Sequence, residues 1–216
     1  MAITFYYGSG SPYAWRAWLG LEYKQVPYEL KSLSFTAGDL KTPEYLRINP
    51  RGKVPTIVDD GFSLYESPAI LEYLDEKYPK SGKPLFPGDV RQRALVRRIV
   101  NEADQYLSSA NRKILDSVLF TKKENWDETA IASGRGALQR ELASFEGMLN
   151  RDFFAHALSA ADFTIYPMIA LALRMDIRKP DLDVKGLIGP KTAAWKRRIE
   201  ALPFFDKTYP PHWKQS

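Results

Sequence analysis

One eleven-residue stretch, PKSGKPLFPGD at 79–89, constrains the fold of this chain more than any other. Its three prolines and two glycines interrupt helix and strand alike, because proline lacks a backbone donor and glycine is costly inside a regular element. The hydrophobic period also changes across it. Upstream, short strand-like runs are interleaved with helical patterns; downstream the apolar spacing is helical and no strand pattern recurs. Such a chain is expected to form a small α/β domain followed by an all-helical one. We set residues 1–80 as the first domain, 81–89 as the linker and 90–216 as the second.

The first part reads as β-α-β-α-β-β-α. ITFYY is a short strand, and Pro12 to Leu21 follows as a helix with Trp15, Trp18 and Leu19 at helical spacing. VPYELKSL supplies a second strand, and TPEYLRINP a short helix stopped at Asn49-Pro50. PTIV and FSLY flank Asp59-Asp60-Gly61, a hairpin signal, and Ser67 to Tyr78 is a helix with Ile70, Leu71, Leu74 and Tyr78 on one side. In the second part, Leu95, Ile99, Ala103, Tyr106, Ala110 and Ile114 make one continuous stripe. Ile131, Leu138, Leu142, Phe145 and Leu149 make another. Phe163 to Leu173 is apolar nearly all round and is expected to be the central helix, opened by the capping box Ser159-Ala-Ala-Asp162. A last helix, Pro190 to Ala201, stops at Pro203.

The 216 residues include no cysteine. That excludes disulfides, thiolate-ligated metals and any protein thiol nucleophile. An excess of 31 Lys and Arg over 26 Asp and Glu gives a net charge of +5. The basic clusters at Arg91, Arg93, Arg97, Arg98 and at Lys196, Arg197, Arg198 fall on expected helices with acidic neighbours. They read as solvated surface, with no nucleic-acid or membrane partner expected. A mild positive field still favours small anionic substrates. MAITFYY lacks the pattern of a secretory leader, and the run from Phe163 to Leu173 is shorter than the ~18–20 residues of a membrane span. With the absence of cysteine, this fits a cytoplasmic protein.

Three short stretches carry the chemistry. YYGSGSPYAW, at 6–15, crowds Tyr6, Tyr7, Ser9, Ser11 and Tyr13 around a step from strand to helix. Ser11-Pro12 opens that helix and Ser67-Pro68 opens the later one; serine as N-cap with proline behind it explains both pairs structurally. Helix N-termini are also anion sites. Glu66, directly before Ser67, places a carboxylate able to hold an ammonium beside a helix end able to hold a carboxylate, the charge pair of an α-amino acid. Lys53-Val54-Pro55-Thr56 lies between them. A cis Val54-Pro55 bond exposes the Val54 main chain to a peptide ligand; a trans proline opening a strand fits the local sequence equally well.

The combination NPRGKVPTIVDDGFSLYESPAILEYLDEKYP resembles the thioredoxin-like domain of the glutathione S-transferase family. It has that family's N-P turn, [KQ]-V-P step, hairpin and E-S-x-A-I helix opening. The linker and the S-A-A-D-F segment extend the resemblance along nearly the whole chain. It implies a cytosolic homodimer that uses glutathione as co-substrate and needs no metal. Val54 would pair its main chain with the cysteinyl part of glutathione, with Pro55 cis. Glu66 and Ser67 would hold the γ-glutamyl ammonium and carboxylate, while Lys53 and, more weakly, Lys41 would meet the glycyl carboxylate. Ser11-Pro12-Tyr13 with Arg16 resembles the S-P-[FY]-x-x-R pattern of serine-type classes such as tau, and a bacterial serine-type member fits as well. Trp15-Arg16 is similar to zeta-class isomerases, but their serine-serine-cysteine signature is missing. The usual glycine ahead of Ser159 is also missing, replaced by Ala155-His156-Ala157.

On this reading Ser11 donates a hydrogen bond to the glutathione thiolate, with Ser9 as the runner-up donor. No base is required, and neither His156 nor His212 sits in a triad-like context. Small hydrophobic electrophiles would lie against the long helices, with Tyr13, Tyr106, Arg112 and Phe120 as candidate contacts; packing and surface charge account for Tyr106, Arg112 and Phe120 equally well. The alternatives are a non-catalytic glutathione-binding or protein-interaction module on the same fold, or a glutathione-dependent isomerase or peroxidase.

Overall fold

A computed structural model describes residues 2–214. The chain divides into two compact units: the residues up to Asp89 with the chain from Leu202 onward, and Val90–Ala201.

In the first unit, β1 (Ile3–Tyr7) alternates as its pattern requires: Ile3, Phe5 and Tyr7 are buried, while Thr4 and Tyr6 face the other side. It pairs in parallel with β2 (Tyr28–Ser32), the crossover being α1 (Pro12–Lys24). On its other side it pairs antiparallel with β3 (Thr56–Asp59), which turns through Asp60 and Gly61 into β4 (Phe62–Tyr65). Both turn residues have positive φ, 50° and 83°, as a tight two-residue hairpin demands. With α2 (Pro43–Ile48) and α3 (Ser67–Lys77), the element order is the expected β-α-β-α-β-β-α around a sheet ordered β2-β1-β3-β4.

Helices α1 and α3 pack together, and a buried ion pair joins them, Lys24 Nζ to Asp75 Oδ1 at 3.2 Å. Asp75 also accepts from the backbone N–H of Leu85 at 2.7 Å and of Phe86 at 3.1 Å. The linker is therefore moored to this unit, with Gly82 pressed so close to the Tyr23 carbonyl that an added Cβ would lie 2.3 Å from it.

The end of the chain departs from the expected domain assignment. The sequence reading carried the helical domain through to residue 216, whereas α9 (Phe205–Thr208) and the turn at Pro211–Trp213 pack in the first unit. Trp15 is the reason. Its indole N–H donates to Thr208 Oγ1 at 3.0 Å, and its rings stand edge-on to Tyr209 at 5.5 Å and Trp213 at 5.6 Å. Burying four aromatic rings against one another, Phe205 included, outweighs continuation of the helical unit.

The second unit contains α4 (Val90–Glu102), α5 (Ser108–Val118), α6 (Glu128–Met148), α7 (Ala160–Arg178) and α8 (Pro190–Glu200). Between α4 and α5 the backbone makes one π-helical turn, Ala103–Leu107. That turn corrects the expected apolar stripe: Ala103 and Leu107 are buried, but Tyr106 is 54% exposed, because the widened turn rotates it off the inner face. The central helix α7 is buried along most of its length, as its composition predicts. At its head Asp162 is wholly buried and accepts from Ser159 N at 2.9 Å, Trp195 Nε1 at 2.9 Å and Phe154 N at 3.2 Å. Burial nevertheless raises its carboxyl to about 6, against the lowering effect of those bonds. Among the described residues no helix is long and apolar enough to cross a membrane.

Candidate functional site

Three segments of the first unit carry the residues singled out above. The first is the turn between β1 and α1. Ser11 N–H donates to the Gly8 carbonyl at 3.1 Å, closing a turn in which Gly10 takes φ 86°, a value glycine adopts without penalty. Ser11 is the N-cap of α1, with extended backbone (φ −71°, ψ 121°), and its Oγ accepts from Ala14 N at 3.2 Å. In that bond Ser11 accepts through an oxygen lone pair, which leaves its hydroxyl proton for a ligand. Ser9 is placed differently. Its hydroxyl is hydrogen bonded to Nδ1 of His212, 2.7 Å away. The His212 ring lies against the turn, and a Cβ on Gly10 would fall 2.9 Å from its Cε1. His212 thus contacts the serine turn directly, which its distance along the chain concealed. Phe35 closes the turn from another side, its ring so near Gly8 that a Cβ there would lie 2.5 Å from Cζ.

The second segment is Asn49–Thr56. The Val54-Pro55 bond is cis, which decides between the two geometries that the local sequence allowed. Ladder pairing of β3 starts at Thr56, leaving Val54 outside it. Buried Asn49 and Tyr45 hold the approach: Asn49 Nδ2 donates to the Lys53 carbonyl at 2.7 Å and to Thr56 Oγ1 at 2.9 Å, and the Tyr45 hydroxyl donates to the same carbonyl at 2.5 Å. Lys53 and Lys41 are exposed. The Lys41 side chain, from the short helix Asp39–Lys41, reaches the turn that carries Lys53, since a Cβ added to Gly52 would sit 3.2 Å from Lys41 Nζ.

The third segment is the head of α3. Here the serine-cap reading of Ser67 is corrected: the N-cap is Glu66, and Ser67 is the first helical residue. Glu66 holds φ 68°, ψ 105°, a conformation that side-chain-bearing residues rarely adopt, while its side chain is exposed. Such an outlier costs about 1–3 kcal/mol and persists where the surroundings enforce it. Ser67 is buried, and its Oγ accepts from Arg16 Nε at 2.8 Å. Arg16 is almost fully buried, five residues along the helix that Ser11 opens, and its guanidinium stacks 5.3 Å from the Tyr13 ring. The two Ser-Pro helix heads are therefore joined by one side chain. The S-P-Y-x-x-R spacing named this arginine, but sequence alone did not reveal its partner. Asn49, Tyr45, Phe35 and His212 were missed as site residues. A polar residue beside the N-P turn and glycines flanking Ser9 are the signals that mark close approach there.

The candidates of the second unit form a looser set. Arg112 pairs with Asp116 at 2.6 Å, and its guanidinium lies 5.9 Å from the Phe120 ring; both Arg112 and Phe120 are exposed. Tyr106 sits in the π turn. Among the described residues no cluster of His, Cys, Asp and Glu is arranged to hold a metal ion.

A thioredoxin-like unit with a cis-proline step and two polar helix heads, joined to an all-helical unit, is the architecture of the glutathione transferases. Residues 10–77 match the model of the glutathione S-transferase N-terminal domain. Among curated proteins, the chain is 33% identical to glutathione S-transferase D7 of Drosophila melanogaster, over 85% of this chain and 80% of that one. It is 30% identical to the probable maleylacetoacetate isomerase 2 of the same organism, over 91% and 83% of the two chains. Among solved structures, a glutathione S-transferase from the Antarctic clam Laternula elliptica superposes with a TM-score of 0.80 at 32% identity, covering 100% of this chain and 95% of that one. The chain belongs to the glutathione S-transferase family.

Proposed function

We propose that this protein binds glutathione across the three segments, stabilises its thiolate with the Ser11 hydroxyl, and transfers it to small hydrophobic electrophiles. The observation that carries the reading is the head of α3. Glu66, held exposed in a costly backbone conformation beside the first amides of a helix, offers a carboxylate for an ammonium and N–H donors for a carboxylate. Val54, outside the ladder after a cis bond, offers main-chain groups to a peptide. Lys53 and Lys41 supply positive charge for a second carboxylate. Together these match the two carboxylates, the ammonium and the peptide core of glutathione.

The chemistry follows from the thiol. A free thiol ionises near ~8.5, so only a few per cent is thiolate at neutral pH. Lowering that value by about two units requires ~2.7 kcal/mol of preferential thiolate stabilisation. One hydrogen bond to the charged sulfur supplies ~1.5–3 kcal/mol, and the partial positive charge at the head of α1 adds to it. The thiol proton leaves to solvent. The thiolate sulfur then forms a bond to the electrophilic carbon as the leaving group departs with its electron pair. Ser11 acts as a donor and not as a nucleophile. Ser9, already bonded to His212, is the poorer donor.

Ultraviolet titration of the glutathione complex, in wild type and Ser11→Ala, tests the reading together with turnover of an aryl halide. Absence of glutathione binding overturns the function. Binding without a thiolate signal favours a non-catalytic binding module. A second reading, glutathione-dependent isomerisation, draws support from relatives named maleylacetoacetate isomerase, and maleylacetoacetate turnover tests it. The missing serine-serine-cysteine signature places it second. We also propose a cytoplasmic homodimer, which light scattering and fractionation check.

A further inference from the structure

The proposed donor sits on a turn, Gly8-Ser9-Gly10-Ser11, in which every second residue is glycine. Glycine leaves a backbone free to move, whereas a donor to a developing thiolate has to be held to within about 0.5 Å. The turn's own tie is the bond from Ser11 N–H to the Gly8 carbonyl at 3.1 Å. Further support reaches it from the other end of the chain.

Gly10 is crowded by the rings of His212 and Trp213. A Cβ there would fall 2.9 Å from His212 Cε1, 3.3 Å from His212 Nε2 and 3.4 Å from Trp213 Nε1. Trp213 is buried and stands edge-on to Trp15 of α1, so packing within the first unit accounts for it. His212 is exposed, yet its ring lies on the glycine that precedes Ser11, and its Nδ1 is 2.7 Å from Ser9 Oγ. The ring has a fixed base, because Thr208, Tyr209 and Trp213 secure the segment to Trp15. An exposed imidazole adds little to a core. What it provides here is a flat wall against the backbone of Gly10, one residue before the donor.

We infer that His212 is a positioning residue for the thiolate donor: its ring, pressed on Gly10, holds the serine turn where the Ser11 hydroxyl meets the sulfur. The inference rests on the reading of Ser11 as that donor. The ring acts by shape, through its contact with Gly10, and the bond to Ser9 orients the ring. Without the ring the turn gains room on that side. Misplacing a reacting group by about 1 Å can slow a reaction about a hundredfold, so a partial loosening is felt several-fold. The groups proposed to bind glutathione, Val54, Glu66 and Ser67, lie on other segments and keep their places.

Three substitutions of His212 in the full chain, set beside Ser11→Ala, test the inference through aryl halide turnover, KM for glutathione and ultraviolet titration of the glutathione thiolate. His212→Ala is expected to lower kcat about fivefold and raise the thiolate pKa by about half a unit, with KM for glutathione within about twofold. Its Tm should stay within about 2 °C of wild type. His212→Phe, which keeps a flat ring and loses the bond to Ser9, should recover kcat to within about twofold of wild type. His212→Asn, which can keep that bond but has no ring, should remain as slow as His212→Ala. The inference is overturned if His212→Ala leaves kcat and the titration unmoved while Ser11→Ala slows turnover. It is equally overturned if KM for glutathione rises as much as kcat falls, which marks general damage to the site. Recovery in His212→Asn at least as good as in His212→Phe also overturns it, since the bond to Ser9 would then carry the role. If Ser11→Ala itself leaves turnover and titration unchanged, the donor reading fails and the inference falls with it.

Discussion

The heads of α1 and α3 carry the same dipeptide and use it in opposite ways. Ser11 stands outside its helix as the N-cap, accepting from the backbone of that helix and with a hydroxyl able to turn toward a ligand. Ser67 stands inside its helix, buried, and its oxygen is occupied by Arg16. The capping position there falls to Glu66, which lacks a side-chain cap bond and adopts a left-handed φ. Identical local sequence thus yields one adaptable donor and one fixed platform. The deciding contacts come from residues distant in sequence, Arg16 above all. On the proposed function the division suits the chemistry: the sulfur needs a donor that can reorient as charge develops, and the amino-acid head group needs a rigid frame.

The largest effect is expected at the adaptable head. Ser11→Ala should lower kcat about a hundredfold or more, as loss of a donor to a developing anion does. It should raise the thiolate pKa by about one to two units, with KM for glutathione within about threefold. An unmoved titration would assign the donor elsewhere and dissolve the contrast. At the fixed head the split reverses. Glu66→Ala should raise KM for glutathione about thirtyfold with little change in kcat, from loss of ~2 kcal/mol of charged contact. Glu66→Gly should lose the same affinity yet gain about 2–4 °C in Tm, because glycine accepts the φ that Glu66 resists. If Tm falls instead, the conformation is not strained.

A third helix head, that of α7, extends the comparison to one whose carboxylate serves the fold. Burial raises Asp162 from 3.8 to about 6, so the folded state binds this proton more tightly than the unfolded chain. Its stabilising contribution is full below the unfolded value and fades as pH rises through 6. Acidification from pH 7 to pH 5 should therefore add about 1 kcal/mol from this group. Denaturant midpoints of wild type against Asp162→Asn should diverge in that window, and parallel curves would refute the assignment. The smallest effect belongs to the neighbour of the adaptable serine. Ser9→Ala and His212→Ala should each cost about 0.5 kcal/mol through loss of their exposed hydrogen bond, and the double variant no more than either. The thiolate titration should stay fixed in Ser9→Ala; a shift would promote Ser9 to donor.

Much of this was legible in the residues themselves. The order of strands and helices followed from hydrophobic period and from the proline and glycine punctuation of 79–89. The cis step and the acidic helix head followed from resemblance in NPRGKVP and ESPAI, not from local preference, which fits both isomers of Val54-Pro55 equally. Three features stayed hidden for identifiable reasons. The π turn adds a residue without altering apolar spacing, so Tyr106 looked inward. The Arg16–Ser67 bond spans fifty-one positions and leaves no periodic trace. The stretch after Leu202 is rich in aromatics and prolines but lacks a period, so nothing in it indicated attachment to Trp15.

That attachment sets an order of events during synthesis. Domains usually fold as they emerge, N-terminal first. Here the sheet and α1 can assemble early, yet the indole of Trp15 acquires its cover and its hydrogen bond only when Thr208, Tyr209 and Trp213 arrive. The part of the protein made first is finished last. On the ribosome, the serine turn therefore remains uncovered by His212 until the whole helical unit has been translated.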